Sequence, residues 1–208
     1  MSDKIERKIT VIFATDIVGY SRHMEKNESE TVKNLRACER ILTKLFKKYG
    51  GTIFNTGGDS FLAEFSSAVN AVECAVAFQK DISIRNGLDK TSVKLMFRIG
   101  INAGDVIKEK GNLLGDGVNI AARLESLAQA GGITISKGVY DYIKGKTNYE
   151  YSDLGIQKVK QNEFYAYDLL IDKSHKRNLK TLNSKRSLFG IITVALLISL
   201  AGLFYFYH

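Results

Sequence analysis

Asn55–Phe65 reads NTGGDSFLAEF. Two glycines set an aspartate between two short runs, Thr52–Asn55 before it and Phe61–Phe65 after it. Glycine and aspartate are ordinary residues of tight turns, so the stretch predicts a β-hairpin with Asp59 at its tip. That carboxylate has two open readings. It is a plain turn residue, or it is a metal ligand held at the tip of the hairpin. The choice depends on what the rest of the chain brings beside it.

Working outward, Lys8–Ala14 (KITVIFA) is a β-branched and apolar run and predicts a buried strand. Glu28–Tyr49 sets Val32, Leu35, Ile41, Leu42, Leu45, Phe46 and Tyr49 at helical spacing. Asn27 with Glu30 resembles a capping box, and Gly50-Gly51 is a stop. Ser66 is expected to cap a second helix with Val69, Val72, Ala75, Val76 and Ile82 on one face. Lys94–Ile101 alternates Leu95, Phe97, Ile99 and Ile101, as a half-buried strand does. Strand, helix, hairpin, helix, strand is the βαββαβ plan of ferredoxin-like, palm-type domains of the α+β class. The additions are C-terminal: a loop entering a helix over Gly115–Ala130, a strand at Gly132–Ile135 and a short helix at Val139–Ile143. Two late strands follow at Tyr149–Leu154 and Phe164–Leu170. Proline is absent, so the turns depend on 18 glycines.

The net charge of +8 suggests a nucleic-acid binder until it is located. Six of the 30 Lys and Arg, and no acid, fall in Lys173–Arg186, KSHKRNLKTLNSKR. The body before it is nearly neutral, which argues against nucleic acid as a partner. Leu188–Tyr207 follows, 20 residues without a charge. That is about the length needed to cross a bilayer as a helix. A buried core helix is the alternative, but a segment that follows a polar linker has nothing evident to pack against. The basic residues lie on its N-terminal side, which predicts a cytoplasmic body on a single-pass anchor in the cytoplasmic membrane. The expected division is 1–172 as the main folded domain, 173–186 as a basic linker and 187–207 as a transmembrane helix. Cys38 and Cys74 show no metal or disulfide spacing, which suits a reducing compartment.

Asp16, in Phe13–Ser21 (FATDIVGYS), directly follows the first predicted strand. Taken alone it is a cap or turn aspartate. If that strand neighbours the hairpin, Asp16 and Asp59 converge. Two carboxylates with little else suit Mg²⁺, which completes its octahedron with phosphate oxygens and water. In Gly111–Glu125 (GNLLGDGVNIAARLE), Asn119 and Arg123 stand at i and i+4 and share a helix face. They are either an ordinary exposed face or a pair that holds a ribose and a phosphate, the arginine supplying a planar fork.

Four ordered motifs, ATDIVGYSR, GGDSFLAEF, FRIGINAGDVI and GDGVNIAARLE with AGGITIS after it, resemble the catalytic domain of class III nucleotidyl cyclases, from about Lys8 to Leu170. The resemblance implies adenylate or guanylate cyclase chemistry: the ribose 3′-hydroxyl attacks the α-phosphate and releases pyrophosphate and a cyclic 3′,5′-monophosphate. It implies that Asp16 and Asp59, with the backbone carbonyl of Ile17, bind two Mg²⁺ or Mn²⁺ per site. Arg98 then meets the polyphosphate, Asn119 orients the ribose and Arg123 stabilises the α-phosphate. Lys160 is a candidate for the triphosphate. These roles come from two chains, so a homodimer is implied, with two sites shared across its interface. The hairpin also resembles the GGDEF signature of diguanylate cyclases. That family lacks an equivalent of GDGVNIAARLE, and Ser60 stands where its glutamate would be.

The departures concern the base. Adenylate cyclases of the class carry lysine where this chain has Asn55, and aspartate where it has Asn112. Guanylate cyclases carry glutamate at the first of these places. The base-selecting pair here is Asn/Asn. The expected substrate is ATP, with cyclic AMP as product. A cyclase for GTP, CTP or UTP is the alternative within enzymes. A catalytically silent nucleotide-binding or dimerisation module is the alternative outside them.

Overall fold

The run Glu6–Ile17 forms the first strand, β1, and it is longer than its apolar centre. Its partner β4 (Phe97–Glu109) is equally extended, and the two pair antiparallel from Glu6↔Lys108 to Ile17↔Phe97. Charged residues prolong the ladder past the apolar core, as in the Arg7–Asp105 ion pair at 2.7 Å. Asp16 therefore lies inside β1, opposite Arg98, and not beyond its end. This is a computed structural model, and it describes residues 6–90, 93–159, 162–172 and 176–177. Lys160, most of the basic run and the whole apolar segment 187–207 lie outside the described residues. No helix among the described residues is long and apolar enough to cross a membrane. Contacts divide the chain into Met1–Lys176 and Arg177–His208, and the helices and strands among the described residues belong to the first unit.

A short helix, α1 (Tyr20–Lys26), buries no residue, so it left no apolar period to read. Helix α2 spans Glu28–Tyr49. The Asn27 side chain accepts from the Glu30 N–H at 3.1 Å, and its amide donates back to the Glu30 carboxylate at 3.3 Å. Gly50, at φ 76°, ends the helix. The hairpin is β2 (Gly51–Gly57) and β3 (Ser60–Phe65), with Gly58 and Asp59 as its two-residue turn. Gly58 sits at φ 64°, where other residues are strained. The Ser60 hydroxyl donates to the Gly57 carbonyl at 2.9 Å and closes the tip.

Helix α3 (Ala68–Leu88) is capped by Ser67 and not by Ser66: the Ser67 hydroxyl accepts from Asn70 N–H at 3.3 Å. β3 runs to Phe65 and leaves Ser66 as the connection. Strand β4 begins at Phe97, later than expected, because the Leu95 carbonyl is taken by the Asn86 side chain at 2.8 Å. Strand β5 (Asn112–Leu114), absent from the sequence reading, folds back antiparallel on β4. Then come α4 (Asp116–Leu127), β6 (Ile133–Ser136), α5 (Lys137–Ile143), β7 (Glu150–Val159) and β8 (Asn162–Leu170).

The sheet order is β2-β3-β1-β4-β6-β8-β7, with β5 beside β4. The first four strands are antiparallel, the order that βαββαβ connectivity requires. Helices α2 and α3 cover one face. There Phe13, Phe46 and Phe65 pack edge-on, with Phe13–Phe46 centroids at 5.1 Å. Helix α4 lies on the opposite face, where Ala121 joins Ile12 and Ala14 of β1 in a smaller core. β4 is thus buried on both faces at Gly100, and a Cβ there would stand 2.1 Å from the Glu125 nitrogen. Only glycine permits α4 to lie so close to the sheet.

Candidate active site

Side chains alternate along a strand, so Asp16 projects to the same face as Ile12 and Ala14, the α4 face. The β1–β3 pairing, from Val11↔Phe65 to Thr15↔Phe61, draws the hairpin tip alongside. Asp16 and Asp59 converge there. Burial, then the neighbouring Asp16 carboxylate, push the Asp59 carboxyl up to about 6. The Thr15 hydroxyl donates to the Arg98 carbonyl at 2.8 Å and fixes the backbone where β1 and β4 carry the candidate residues Asp16 and Arg98.

Arg98 bridges two acids. Its Nη2 donates to Asp16 Oδ2 at 3.0 Å, and its Nε lies 2.9 Å from Glu125 Oε1. The second contact is an ion pair by distance, but its N–H is not directed at the oxygen. Both atoms are buried without an aligned hydrogen bond. Burial pushes Glu125 up to about 7, against the pull of Arg98. Sequence reasoning missed Glu125. The signal was present: Ala121 and Glu125 are spaced i, i+4 on the face of α4 opposite to Asn119 and Arg123. An acid on the packing face of a helix needs a partner.

The other predicted residues lie elsewhere, on β2, β5 and α4. Asn119 is exposed and Arg123 half-buried on the side of α4 turned from the sheet. Among the described residues, neither makes a hydrogen bond or ion pair with Asp16 or Asp59, and Arg123 Nη1 is buried without a partner. Asn55 is exposed on β2, after the bulge that shifts the register between Ile53 and Asn55. β5 lies against β2 and carries Asn112. The Asn112 Oδ1 accepts from the Leu113 N–H at 2.9 Å, which orients the amide. The structure thus unites Asp16, Asp59 and Arg98, and places Asn55 on β2, Asn112 on β5 and Asn119 and Arg123 on α4, none of them hydrogen-bonded or ion-paired to those three among the described residues. Lys160 is outside the described residues.

The family model for the adenylate and guanylate cyclase catalytic domain matches residues 1–176. The chain belongs to that family. It is 42% identical over 162 residues to a putative adenylate cyclase of Rhizobium meliloti, a match covering 77% of this chain and 28% of that protein. The chain therefore corresponds to less than a third of that curated relative. A solved adenylate/guanylate cyclase/hydrolase from Silicibacter pomeroyi is 34% identical, covers 81% of this chain and 100% of that one, and superposes with a TM-score of 0.75. The adenylyl cyclase CyaB of P. aeruginosa is 27% identical, covers 84% of this chain and 100% of its own, and has a TM-score of 0.72.

Cyclases of this class use divalent cations, and the cyclase domain described here has a donor set that fits one. The charge of Asp16 helps raise the Asp59 carboxyl, and a doubly charged cation between the two would relieve that repulsion. Among the described residues no three His, Cys, Asp or Glu side chains form a metal cluster. The protein would offer two carboxylates and the Ile17 carbonyl. Such an all-oxygen, incomplete set suits Mg²⁺ or Mn²⁺ sharing phosphate oxygens more than a closed structural site.

Proposed function

We propose that the chain is a homodimeric nucleotidyl cyclase that converts ATP to cyclic 3′,5′-AMP and pyrophosphate. One observation supports this reading: within one chain Asp16, Asp59 and Arg98 come together, while Asn119 and Arg123 are turned away from them on α4. Asp16, Asp59 and Arg98 form a cation and phosphate group, while Asn55, Asn112, Asn119 and Arg123 form a nucleoside group. A two-fold axis that brings each group to its complement on the partner makes two identical sites. Two cations held by Asp16, Asp59 and the Ile17 carbonyl would lower the pKa of the ribose 3′-hydroxyl and offset triphosphate charge. Asn119 orients the ribose. Arg123 meets the α-phosphate, and its buried, unpaired Nη1 is a donor already desolvated for a phosphate oxygen. Arg98 takes the β- and γ-phosphates, and Lys160 joins it by resemblance. Catalysis is then mostly positioning and electrostatics.

A second reading, GTP as substrate, is favoured by the Asn112–Leu113 bond. That bond occupies one lone pair of the Asn112 carbonyl and leaves its amide protons as donors, and guanine O6 is an acceptor. The test is to incubate the full chain with each of the four nucleoside triphosphates and Mg²⁺ or Mn²⁺, then separate the products. Cyclic AMP is expected in excess over cyclic GMP. No cyclic product from any nucleotide would leave the silent module.

We also propose that Leu188–Tyr207 anchors the domain to the cytoplasmic membrane, with the catalytic domain in the cytoplasm. The uncharged length and the six basic residues before it support this. The full chain is expected to sediment with membranes and resist alkaline extraction, whereas residues 1–172 alone stay in the supernatant. Release of the full chain by alkali rules the anchor out.

A further inference from the structure

Glu125 is only 8% exposed, on the face of α4 that meets the sheet. A carboxylate there needs compensation. The Ser126 hydroxyl gives a weak contact at 3.3 Å. The substantial partner is Arg98, 2.9 Å away. The approach is built in, since Gly100 is the residue that lets the Glu125 backbone reach β4, two positions along from Arg98.

We propose that Glu125 is the positioning residue for Arg98: it holds Nε and so aims the two Nη groups at the triphosphate. The inference rests on the cyclase reading, in which Arg98 meets phosphate. Nη2 of Arg98 lies on Asp16, the same carboxylate that the cation needs. A cation and a guanidinium compete for that oxygen, so Arg98 must leave it when cation and substrate arrive. Glu125 is not in that competition. The guanidinium pivots about its Nε anchor instead of swinging into solvent. Rotation off Asp16 is also the movement that can align the Nε–H with Glu125 Oε1, which the Asp16-bound rotamer leaves misdirected. The phosphate group therefore depends on α4 of its own chain, the helix whose other face carries Asn119 and Arg123.

The test compares Glu125→Gln, Glu125→Asp, Arg98→Ala and the double variant Glu125→Gln/Arg98→Ala in the full chain. The probe is inorganic triphosphate with Mg²⁺, titrated calorimetrically, so that the base plays no part. Glu125→Gln should weaken binding about 10-fold, the scale of one charge-assisted contact. It should raise the nucleotide KM similarly and leave kcat within about 3-fold. Glu125→Asp, which keeps the charge, should lose less than Gln, which keeps the volume. A role limited to packing reverses that order, and it lowers Tm without moving triphosphate affinity. In the Arg98→Ala background, Glu125→Gln should cost nothing further. Losses that add, or a Gln variant that binds triphosphate like wild type, overturn the inference alone. An Arg98→Ala variant that binds triphosphate normally overturns the inference together with the phosphate role given to Arg98.

Discussion

The two groups on the α4 side of the sheet differ in how their charges are met. Asp16, Asp59, Arg98 and Glu125 face one another: the charge of Asp16 helps raise the Asp59 carboxyl, and one arginine bridges two carboxylates. Asn55, Asn119 and Arg123 make no side-chain hydrogen bond among the described residues, and Arg123 keeps a buried nitrogen unpaired. The first group sets three carboxylates against one arginine, so its members contact one another and still leave a negative excess that a cation can offset. The second keeps a donor that a group from outside the chain could take, as the proposed shared site requires. The strongest test of that contrast separates the groups onto different chains. Asp59→Ala and Arg123→Ala homodimers should each fall by about 10³-fold, the scale of losing one preorganised electrostatic partner. Mixed after verified subunit exchange, they should recover about a quarter of wild-type activity. Half the dimers are then mixed, and each holds one intact site of two. No recovery would mean that both groups serve one site within a single chain.

The groups share one mechanical dependence, the seat of α4 on β4. Gly100→Ala sets a methyl 2.1 Å from the Glu125 nitrogen and 2.3 Å from the Ala121 carbonyl oxygen. Both are backbone atoms, so the helix must lift. The cost is about 3 kcal/mol, or a Tm loss of roughly 6–12 °C for a domain of this size. Activity should fall further than stability alone accounts for, because Glu125 and Arg123 ride on the helix. A scanning-calorimetry trace that matches wild type would show that α4 is not seated at Gly100.

The contrast also explains what the sequence revealed. The hairpin, α2 with its Asn27 cap, and the two converging aspartates were legible because each has a local signature: glycine turns, apolar periodicity, a carboxylate beside a strand. β5 and α1 were not legible. β5 spans Asn112–Leu114 and is held by its pairing with β4, while α1 buries nothing. Ser66 and Ser67 are interchangeable as caps until the end of β3 is known. Asn119 and Arg123 stood out because polar residues at i, i+4 form a visible stripe. Glu125 sat in the same quoted motif and was passed over. Its meaning depends on a glycine in another strand, and sequence spacing does not show that proximity.

The acid pair responds to protons and cations in opposite ways. Its raised Asp59, at about 6, means that the folded chain holds a proton more tightly than the unfolded one. That stability is present below the ordinary carboxylate pKa and is lost as pH rises through about 6, with Glu125 adding a loss through about 7. Metal-free wild type should therefore melt lower at pH 8 than at pH 5. Asp59→Asn removes the repulsion. It should melt above wild type at pH 8 and close to it at pH 5. Mg²⁺ should stabilise wild type more at pH 8, where it no longer competes with the proton, and should leave the Asn variant nearly unmoved. Melting curves in chelator and in Mg²⁺ at both pH values decide this. A wild-type Mg²⁺ shift that does not grow with pH removes the cation from this pair.

The smallest expected effect lies in the other group, at the base. A lysine at position 55 can only donate, which suits adenine N1, and an aspartate at 112 can only accept, which suits the adenine amino group. Asparagine does both. The Asn112 carbonyl is partly committed to the Leu113 N–H, so its outward face is richer in donors than in acceptors. Asn55 is exposed and can turn either way. A site rejects a wrong base mainly by leaving buried polar groups unpaired, and a pair that adapts gives up part of that rejection. Wild type should therefore prefer ATP over GTP by no more than about 10-fold. Asn112→Asp keeps an oxygen for the Leu113 N–H and turns a second, acceptor-only oxygen outward, so the β5 backbone needs no rearrangement. Combined with Asn55→Lys, it should raise the ATP-to-GTP ratio by about another 10-fold, the value of one correctly paired polar contact. The measurement is kcat/KM for all four nucleotides on both proteins. Complete exclusion of GTP, CTP and UTP by wild type, or ratios unmoved in the double variant, would take the reading of the base away from these two asparagines.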